Sequence, residues 1–425
     1  MDRVILHSDC NCFYAAVEML HHPELSGQPL AVGGDPEKRH GIVLTANYIA
    51  KKQGVKTGMA LWEARQACPG VVFVPPRMDL YLRFSRLVND IYAEYTDLRE
   101  PFGIDETWMD VTASLSCKGT AMQIAEEIRS RVKKELGITV SIGISWNKIF
   151  AKFGSDYQKP DAITQITRDN YKQIVWESPV RDLLYVGHAT DAKLCRYGIR
   201  TIGDLARTDP SFLRHILGKM GLVIRLFACG GDETPVSAED TAVPVKSVGN
   251  STTTPRDLTS AEDIRLVIYL LSESVAARLK ENGFMGYVVR ISVRDNNLAS
   301  FTRQHKRMLP TNLSDEIAHD ALCLFYAHAG PAHPVRSVGV RVSSLVEDTA
   351  PYQTSLFANE DVRRKQLAVD RAVMDIRRRF GFSSVQRGLM YFDPALSSLD
   401  AKADDHMVHP HSYMERGNRM GAEEA

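Results

Sequence analysis

Short apolar runs that alternate with amphipathic segments constrain the fold more than any other feature of this sequence. The runs with the length and β-branched content of strands are residues 4–6, 42–44, 71–74, 98–104, 107–112 and 139–145. Segments with apolar side chains at helical spacing lie at residues 13–19, 46–52, 61–67, 79–95, 118–135 and 147–157. Asn11 is the predicted cap of the first helix. The alternation predicts an α+β fold in which helices cover one face of an antiparallel sheet.

The second half of the chain shows the same alternation after a helical stretch. Residues 168–235 predict short helices joined by glycine, in which 183–187 and 194–199 form a hairpin between two helices. Residues 236–246 are polar and lack a helical period, so they predict a linker. A second α+β unit is predicted from helices at 261–282 and 313–328 and from strands at 287–294, 299–305 and 335–345.

Charge is balanced over the whole chain and separated locally. The 52 Lys+Arg and 52 Asp+Glu residues exclude a uniformly basic nucleic-acid binder. Residues 181–225 hold eight basic side chains against four acidic ones, and residues 288–308 hold five against one. A basic helix is predicted at 361–380, whereas residues 393–425 are acidic, lack a clear period and are predicted to be disordered. The local basic stretches keep DNA among the candidate partners.

Composition predicts a globular protein of the cytoplasm. Hydrophobic residues make up 44% of the chain and charged residues 24%, which suits ordinary apolar cores. No run of 18 apolar residues is present, so no membrane-spanning helix is expected. The first residues enter a strand directly and lack the features of a signal peptide. The seven cysteines show no C-x-x-C spacing, which indicates reduced thiols.

Three acidic residues stand at predicted strand ends. Asp9 ends the first strand, and Asp105 and Glu106 lie between two later ones. Adjacent side chains of a strand point to opposite faces, so this pair can serve one ion only where the alternation breaks, as at a hairpin tip. Carboxylate oxygens suit Mg²⁺, and two such ions can assist phosphoryl transfer. A helix-capping Asp9 and a solvated turn explain the same spacing, and the spacing alone favours that simpler interpretation.

Three motifs resemble those of the Y-family translesion DNA polymerases. They are HSDCNCFYAAVE at 7–18, GIDETWMDVT at 103–112 and SIGISWNKIFAKFGSDYQKPD at 141–161. The sequence is most similar to the bacterial DNA polymerase IV (DinB) group, and the likeness covers about residues 1–350 in consistent order. Three long motifs in register are far more specific than any one of them.

The resemblance implies a right-hand polymerase, a multi-domain α+β fold with a ferredoxin-like palm. The implied domains are the palm at 1–21 and 78–166, small fingers at 22–77, a thumb of helix-hairpin-helix type at 167–235, a linker at 236–246 and an α+β little finger at 247–346. A clamp-binding loop and basic helix follow at 347–392, and a disordered tail occupies 393–425.

The resemblance also implies the metal ligands. Asp9, Asp105 and Glu106 match the catalytic carboxylates of the family. The main-chain carbonyl of Cys10 is implied as a further ligand. The implied cofactors are two Mg²⁺ ions, or Mn²⁺ in their place.

The nucleotide pocket is implied in the same way. Phe13 and Tyr14 lie at a helix start whose free N–H groups are suited to bind a triphosphate. Tyr14 matches the steric gate that clashes with a 2′-hydroxyl, although its residue type and place also suit a core aromatic. The other implied contacts to the nucleotide are Thr45, Tyr48, Lys51 and Lys159.

Some positions depart from the usual family pattern. Asn11 replaces a common Asp, Gly103 replaces a frequent Ser, and Lys51 replaces an Arg, so that a point charge stands where a bidentate fork is usual. Asp161 and Ala162 stand where Asn-Gly or Asp-Gly is usual, and GHAT at 187–190 departs from the Gly-x-Gly of the thumb hairpin. None of these changes removes an acid needed for phosphoryl transfer.

DNA and a sliding clamp are the implied macromolecular partners. The implied DNA contacts are Gly187, Lys246, Ser247, Arg290, Arg294 and Arg303, although a solvated charged face remains an alternative for each charged member. QTSLF at 353–357 resembles a clamp-binding peptide in which Gln353 donates hydrogen bonds while Leu356 and Phe357 fill an apolar pocket. The Leu-Phe pair packing back on its own domain is the alternative. The basic helix at 361–380 either contacts DNA or is solvated.

The function predicted from these features is template-directed, low-fidelity translesion synthesis, which adds dNTPs to a primer 3′-hydroxyl. A non-catalytic accessory protein that binds DNA and the clamp is the alternative, but such a protein is expected to have lost one of the acids. A nucleotide cyclase with a similar palm would not explain the thumb, the little finger or the clamp peptide. The protein is expected to be monomeric and associated with the bacterial nucleoid.

Overall fold

The computed structural model describes residues 2–34, 41–238, 244–328, 334–353 and 360–399. These residues form two compact units, one of residues 2–34 and 42–238 and the other of residues 244–399. No helix among the described residues is long and apolar enough to cross a membrane.

The first unit contains eight strands and twelve α-helices among its described residues. The strands are β1 (Ile5–Cys10), β2 (Leu30–Gly33), β3 (Val43–Ala46), β4 (Val72–Val74), β5 (Arg99–Pro101), β6 (Glu106–Asp110), β7 (Val140–Ser145) and β8 (Ile163–Gln165). The helices are α1 (Phe13–His21), α2 (Tyr48–Lys52), α3 (Leu61–Ala67), α4 (Met78–Ala93), α5 (Leu115–Lys118), α6 (Ala121–Arg131), α7 (Lys148–Tyr157), α8 (Tyr171–Ile174), α9 (His188–Arg196), α10 (Ile202–Arg207), α11 (Pro210–Leu217) and α12 (Lys219–Ala228).

Strand β1 lies at the centre of a five-stranded sheet in the order β5-β6-β1-β7-β8. It pairs antiparallel with β6 and β7, whereas β8 runs parallel to β7. All six residues of β1 are buried, because helices cover both of its faces. His7 contacts Ser155 of α7 on one face, and Ser8 accepts a hydrogen bond from Tyr92 of α4 on the other. The prediction of helices on one face of an antiparallel sheet is therefore wrong.

Helix α1 begins without a side-chain cap, so the prediction that Asn11 caps it is wrong. The residue before the helix is Cys12, which has a φ of 48° in the left-handed region. This conformation turns the chain sharply between β1 and α1. Asn11 is buried, and its side chain makes hydrogen bonds elsewhere in the sheet.

A small three-stranded sheet, in the order β3-β2-β4, carries helices α2 and α3. Strand β2 pairs antiparallel with β3 and parallel with β4. Its apolar core includes Ala31, Val43, Ala50 and Leu61. Helix α2 is capped by the Asn47 side chain, which accepts a hydrogen bond from the Ala50 N–H at 3.0 Å. This sheet fixes the position of Tyr48 and Lys51.

Short helices α8–α12 build the last part of the first unit around an apolar core that they share with helix α7. That core includes Leu194, Leu205, Leu213 and Ile224. The predicted hairpin between two helices is wrong at residues 194–196, which belong to helix α9, where Leu194 is fully buried.

The second unit is a four-stranded antiparallel sheet in the order β11-β10-β12-β9, covered by helices. Its elements are β9 (Ser247–Leu258), α13 (Ala261–Glu281), β10 (Phe284–Asp295), β11 (Ser300–Thr311), α14 (Ser314–His328), β12 (Val335–Glu347), α15 (Glu360–Phe380) and α16 (Pro394–Ser397). Alternate residues of β10 and β12, such as Ile291 and Val340, pack with Leu271 of α13 in the core.

The last described residues fold against this second unit. Leu396 and Leu399 are buried in its apolar core, so the prediction of disorder for 393–425 is wrong at residues 393–399. Arg377 and Arg387 form ion pairs with Glu273 of α13, which is 8% exposed. Part of the basic helix is therefore neither free for DNA nor simply solvated. Residues 400–425 lie outside the described part of the chain.

Candidate active site

Two of the predicted carboxylates face each other where strands β1 and β6 end and begin, at one edge of the sheet. Asp9 of β1 and Glu106 of β6 are direct cross-strand partners, so their side chains lie on the same face. The Lys159 Nζ lies 2.7 Å from Asp9 Oδ1, and Lys152 of α7 forms an ion pair with Glu106 Oε2. Each carboxylate is thus balanced by one lysine from the segment that follows β7.

The third carboxylate, Asp105, lies just before β6, and its main-chain oxygen accepts a hydrogen bond from the Cys10 N–H at 2.9 Å. Among the residues that the structure describes, no group of three or more His, Cys, Asp or Glu side chains is placed to hold a metal ion. The structure therefore brings Asp9 and Glu106 together, each paired with a lysine, but does not gather all three predicted carboxylates into one metal-binding group. The role of the Cys10 carbonyl stays a prediction.

Burial and mutual repulsion disturb the ionisation of the two aspartates. Burial raises the pKa of Asp9 to about 7, with a further contribution from Glu106, while Lys159 acts in the opposite direction. Burial also raises the pKa of Asp105 to about 6, again with help from Glu106. Raised pKa values in two neighbouring carboxyl groups are typical of a functional site.

Glu106 differs from the two aspartates because it has closer partners. Burial acts to raise its pKa, but the contact with His7 and the charge of Lys152 outweigh burial and lower the pKa to about 2. His7 is fully buried, and burial lowers its pKa to about 4, so its ring is neutral at pH 7. Glu106 is therefore the carboxylate of the three that stays ionised most firmly.

The turn that carries Lys159 is fastened to the residues that follow Asp9. The Asn11 Oδ1 accepts a hydrogen bond from the Asp161 N–H at 2.8 Å and another from the Thr139 hydroxyl at 3.0 Å. The Asn11 amide donates to the Ser141 hydroxyl at 2.9 Å. Two departures from the usual family pattern, Asn11 and Asp161, are thus in direct contact. Sequence reasoning missed this contact because the two residues are 150 positions apart.

The predicted steric gate is held by a stacked ring. Tyr14 lies parallel to Tyr81 of α4, with 4.3 Å between ring centroids and 12° between the ring planes. The Tyr81 hydroxyl donates to the Glu18 carboxylate at 2.6 Å, and Arg77 forms an ion pair with the same carboxylate. Phe13 is 2% exposed, so its main chain and not its side chain is available to a ligand.

The remaining predicted nucleotide residues lie on the small sheet and its helix. Lys51 Nζ lies 5.1 Å from the centre of the Tyr48 ring, as expected for residues one turn apart on α2. Tyr48 and Lys51 therefore share a face, as the sequence predicts. Thr45 lies in β3 opposite Val32 and is partly buried.

The predicted DNA residues of the second unit divide between two faces of its sheet. Arg290 and Arg294 lie on the outer face of β10, and Arg341 of β12 is the direct cross-strand partner of Arg290. Arg303 instead pairs with Ile291, whose side chain is buried in the core, so it lies on the opposite face of the sheet from Arg290 and Arg294. Sequence reasoning missed Arg341, although its alternation with buried Val340 and Val342 was a usable signal.

The other predicted contact residues are described only in part. Gly187 is exposed and precedes helix α9, and Lys246 and Ser247 lie at the start of β9 in the other unit. Gln353 is exposed, whereas Leu356 and Phe357 lie outside the described residues. The clamp peptide therefore stays a prediction.

Comparison with known proteins identifies the family of this chain. The impB/mucB/samB family matches residues 8–156, and the C-terminal domain of that family matches residues 245–356. DNA polymerase IV of Acetivibrio thermocellus is 48% identical over 94% of this chain and 100% of its own length. DNA polymerase IV 1 of Bacillus subtilis is 38% identical over 91% of this chain and 92% of its own length.

A solved structure supports the architecture. A Y-family DNA polymerase chimera of Dbh and Dpo4 has a TM-score of 0.71 and 24% identity, over 81% of this chain and 99% of that chain. At this identity the likeness shows the fold alone. With the sequence matches, the chain belongs to the Y-family DNA polymerases of impB/mucB/samB type. Within that family it is a member of the DNA polymerase IV group.

Proposed function

We propose that this chain, a translesion DNA polymerase by family, adds dNTPs to a primer 3′-hydroxyl at the sheet edge formed by Asp9, Asp105 and Glu106. The observation that carries the proposal is the direct pairing of Asp9 with Glu106 across β1 and β6, beside the start of helix α1. Asp105 precedes Glu106 by one residue, and its pKa responds to the Glu106 charge.

The donor atoms of this edge fit divalent metal ions, on which polymerases of this family depend. Asp9, Asp105 and Glu106 offer carboxylate oxygens, and burial, with a smaller contribution from the Glu106 charge, raises the pKa of both aspartates, a cost that a cation would relieve. We propose two Mg²⁺ ions, with Mn²⁺ as a substitute, held by these residues and the Cys10 carbonyl. When bound, the ions supply charge for the triphosphate and activation of the attacking hydroxyl.

The residues around this edge are suited to hold the nucleotide. The N–H groups at the start of α1 point away from the helix and can bind phosphate oxygens. Lys159, Tyr48 and Lys51 add positive charge and a hydroxyl, and Lys159 can exchange its ion pair with Asp9 for a phosphate. Tyr14, fixed against Tyr81, would meet a 2′-hydroxyl.

The outer face of the second unit's sheet is proposed to follow the DNA backbone. Arg290, Arg294 and Arg341 supply charge along this face. A Cβ at Gly249 would lie 2.9 Å from the Arg341 side chain, and one at Gly339 would lie 2.5 Å from a neighbouring hydroxyl. Because these two glycines have no side chain, the DNA backbone can approach this face of the sheet closely. Gly187, Lys246 and Ser247 remain proposed contacts, whereas Arg303 faces away.

The domain division follows the family: palm 1–21 and 78–166, fingers 22–77, thumb 167–235 and little finger 247–346. The tail is shortened, because residues 393–399 pack on the second unit. We further propose that the protein is a monomer, that it binds a sliding clamp through residues 353–357, and that it is associated with the bacterial nucleoid.

Deleting residues 353–357 is expected to abolish the stimulation of processivity by the sliding clamp. Surviving stimulation would contradict the clamp assignment.

A primer-extension assay tests the proposed reaction. On an undamaged template the protein is expected to add the dNTP that matches each template base, and on a template with an abasic site it is expected to continue past the lesion. A DNA- and clamp-binding accessory protein would bind the same substrates without extending them. The absence of extension with both Mg²⁺ and Mn²⁺ would overturn the proposal.

A further inference from the structure

Helix α3 of the small three-stranded sheet carries a tryptophan that is exposed to solvent. Trp62 is 62% exposed, whereas Trp108 and Trp146 are buried and Trp176 is partly buried. Leu61 of the same helix packs in the core of the small sheet, so α3 is held by its other face. The indole of Trp62 is therefore not needed to anchor the helix.

A second apolar side chain is exposed at the same end of this sheet. Ile42, which immediately precedes β3, is 48% exposed and is the antiparallel bridge partner of Ala60. Ala60 is the residue before helix α3, and Trp62 follows it by two positions. The Val43 N–H donates to the Met59 main-chain oxygen at 2.8 Å, which fixes the segment before α3 against the start of β3. Ile42 and Trp62 thus lie at one junction and leave apolar surface open to solvent.

Basic side chains dominate the surface of the chain around this junction. Residues 51–66 contain four basic residues, and all of them are exposed: Lys51, Lys52, Lys56 and Arg65. The single acidic residue of this stretch, Glu63, is only partly exposed, and its carboxylate accepts a hydrogen bond from the Ala60 N–H at 2.9 Å. Arg65 lies one helical turn from Trp62. The exposed ring therefore lies among positive charges that no exposed acid of this stretch offsets.

An exposed indole among basic side chains fits an unpaired base of single-stranded DNA. The basic groups attract the phosphates, and the indole stacks on the π face of a base. A paired base inside a duplex is already stacked on both faces, so only an unpaired base offers a free face to the ring. A partner protein can also bury a tryptophan, but the positive charge around Trp62 favours DNA.

The place of Ile42 on the sheet indicates which base this is. Strand β3 leads from the junction to Thr45, a residue of the proposed nucleotide pocket. Ile42 and Thr45 are three positions apart in the sequence, which is about 10 Å at the rise of a strand. Successive bases of one strand are about 3.4 Å apart, so the junction lies about three bases from the pocket. In a primer–template, the unpaired strand near the pocket is the template ahead of the base being copied.

We propose that Trp62 is a stacking platform for an unpaired template base that lies ahead of the base being copied. The inference rests on the proposed polymerase function, because that function supplies a template with a single-stranded overhang. Ile42 extends the apolar surface at the junction, and Lys52, Lys56 and Arg65 attract the phosphates. Because every base has a π face, the platform accepts any template sequence.

Removing the ring and removing the base separate stacking from general affinity for DNA. Trp62→Leu keeps an apolar side chain and loses the aromatic face, whereas Trp62→Phe keeps a smaller ring. One primer–template has normal bases throughout its 5′ template overhang. A second has abasic sites at the positions that follow the templating base, so that the phosphates stay and the bases are absent. Because Trp62 is exposed, both variants are expected to fold, and thermal melting checks this.

The measurement is the dissociation constant of the full chain for each DNA, by fluorescence anisotropy without dNTP. With the normal overhang, Trp62→Leu is expected to bind about 10-fold more weakly than the wild type, and Trp62→Phe to stay within about threefold. With the abasic overhang, the wild type is expected to lose about 10-fold, and Trp62→Leu to lose less than about twofold, because the ring and the base act as one pair. Equal effects of Trp62→Leu on the two DNAs, or no effect on either, would overturn the inference.

Primer extension distinguishes failure of this inference from failure of the proposed function. If the wild type extends a primer and the losses from ring and base are independent, only the role of Trp62 is wrong. If ring and base are coupled but the wild type does not extend with Mg²⁺ or Mn²⁺, Trp62 binds an unpaired base and the polymerase function is wrong. A surface that serves a partner protein would leave the affinity of Trp62→Leu for both DNAs unchanged, which contradicts the platform.

Discussion

At the scale of single residues, the site is a set of charges that the fold has to balance. Asp9 and Glu106 lie opposite each other, and Lys159 and Lys152 supply the compensating charge. The acidic residues could be predicted because their types and strand-end positions are visible in the sequence. Their lysine partners could not, since those are 46 and 150 positions away from the acids they contact and are selected by how α7 packs on the sheet.

The sugar selectivity of the site is expected to depend on the Tyr14 ring. Tyr14→Ala removes the group that stacks on Tyr81, so ribonucleotide use is expected to rise by at least about 10-fold relative to deoxynucleotides. The ratio of kcat/KM for the two nucleotides measures this. Tyr14→Phe keeps the ring and serves as the control. Unchanged selectivity in Tyr14→Ala would contradict the gate.

Low pH is expected to weaken the contacts of Glu18 with Tyr81, the residue that stacks on Tyr14. Burial acts to raise the Glu18 pKa, but hydrogen bonds from Arg77 and Tyr81 outweigh it and lower the pKa below the unfolded value. The stability from these bonds is present above the unfolded pKa of about 4.3 and is lost as pH falls through the folded pKa.

Glu18→Gln should therefore lower the unfolding temperature at pH 7, by the equivalent of about 1–3 kcal/mol, because Arg77 and Tyr81 lose a charged acceptor. The difference from the wild type should shrink as pH falls below about 4. Calorimetric melting of both proteins between pH 3 and pH 7 is the measurement. A difference that grows toward low pH would show that the sign is wrong.

At the scale of elements, the sheet and most of its helices follow from the apolar periodicity. Helix α3 has the predicted ends, and α7 differs by one residue. The errors have a physical cause in each case. Strand β1 is buried on both faces, so its sequence does not alternate between polar and apolar residues and does not show that helices cover both sides of the sheet. Residues 194–196 are predicted to lie in a hairpin, but Leu194 is apolar because it packs in a helical core.

The turn after α7 is the element that presents Lys159, and Asn11 holds it. Asn11→Ala removes the acceptor of the Asp161 N–H, so the turn is expected to loosen and KM for the dNTP to rise by about 10-fold with a smaller change in kcat. Ser141→Ala removes only the partner of the Asn11 amide and is the matched control. Steady-state kinetics measure both, and an unchanged KM in Asn11→Ala would contradict this role.

At the scale of the whole molecule, the net charge of zero includes an acidic cluster and a basic cluster that lie in different units. The first unit keeps carboxylates at a sheet edge, and the second carries arginines on the outer face of its sheet. The basic helix α15 was the least predictable part. Its sequence suits DNA binding or solvation equally, and only the structure shows that Arg377 and the nearby Arg387 serve the buried Glu273.

The C-terminal segment is expected to stabilise the second unit through these ion pairs. Arg387→Ala leaves Glu273 with one partner and also frees Asp315, so the free energy of unfolding is expected to fall by about 2–3 kcal/mol. Arg378→Ala removes an exposed arginine of the preceding helix α15 and is expected to change the free energy of unfolding by less than about 0.5 kcal/mol. Urea unfolding of the full chain measures both, and equal effects would contradict the role of Arg387.

The central claim is that the carboxylates at the β1–β6 edge carry nucleotidyl transfer. Single-turnover addition of one dNTP to a primer–template tests it most directly in the double variant Asp105→Asn, Glu106→Gln. The rate is expected to fall by about 10³-fold or more, while DNA affinity measured by fluorescence anisotropy stays within about twofold. Asp90→Asn, which alters an exposed carboxylate on α4, is expected to react as the wild type does. A double variant within about tenfold of the wild-type rate would contradict the claim.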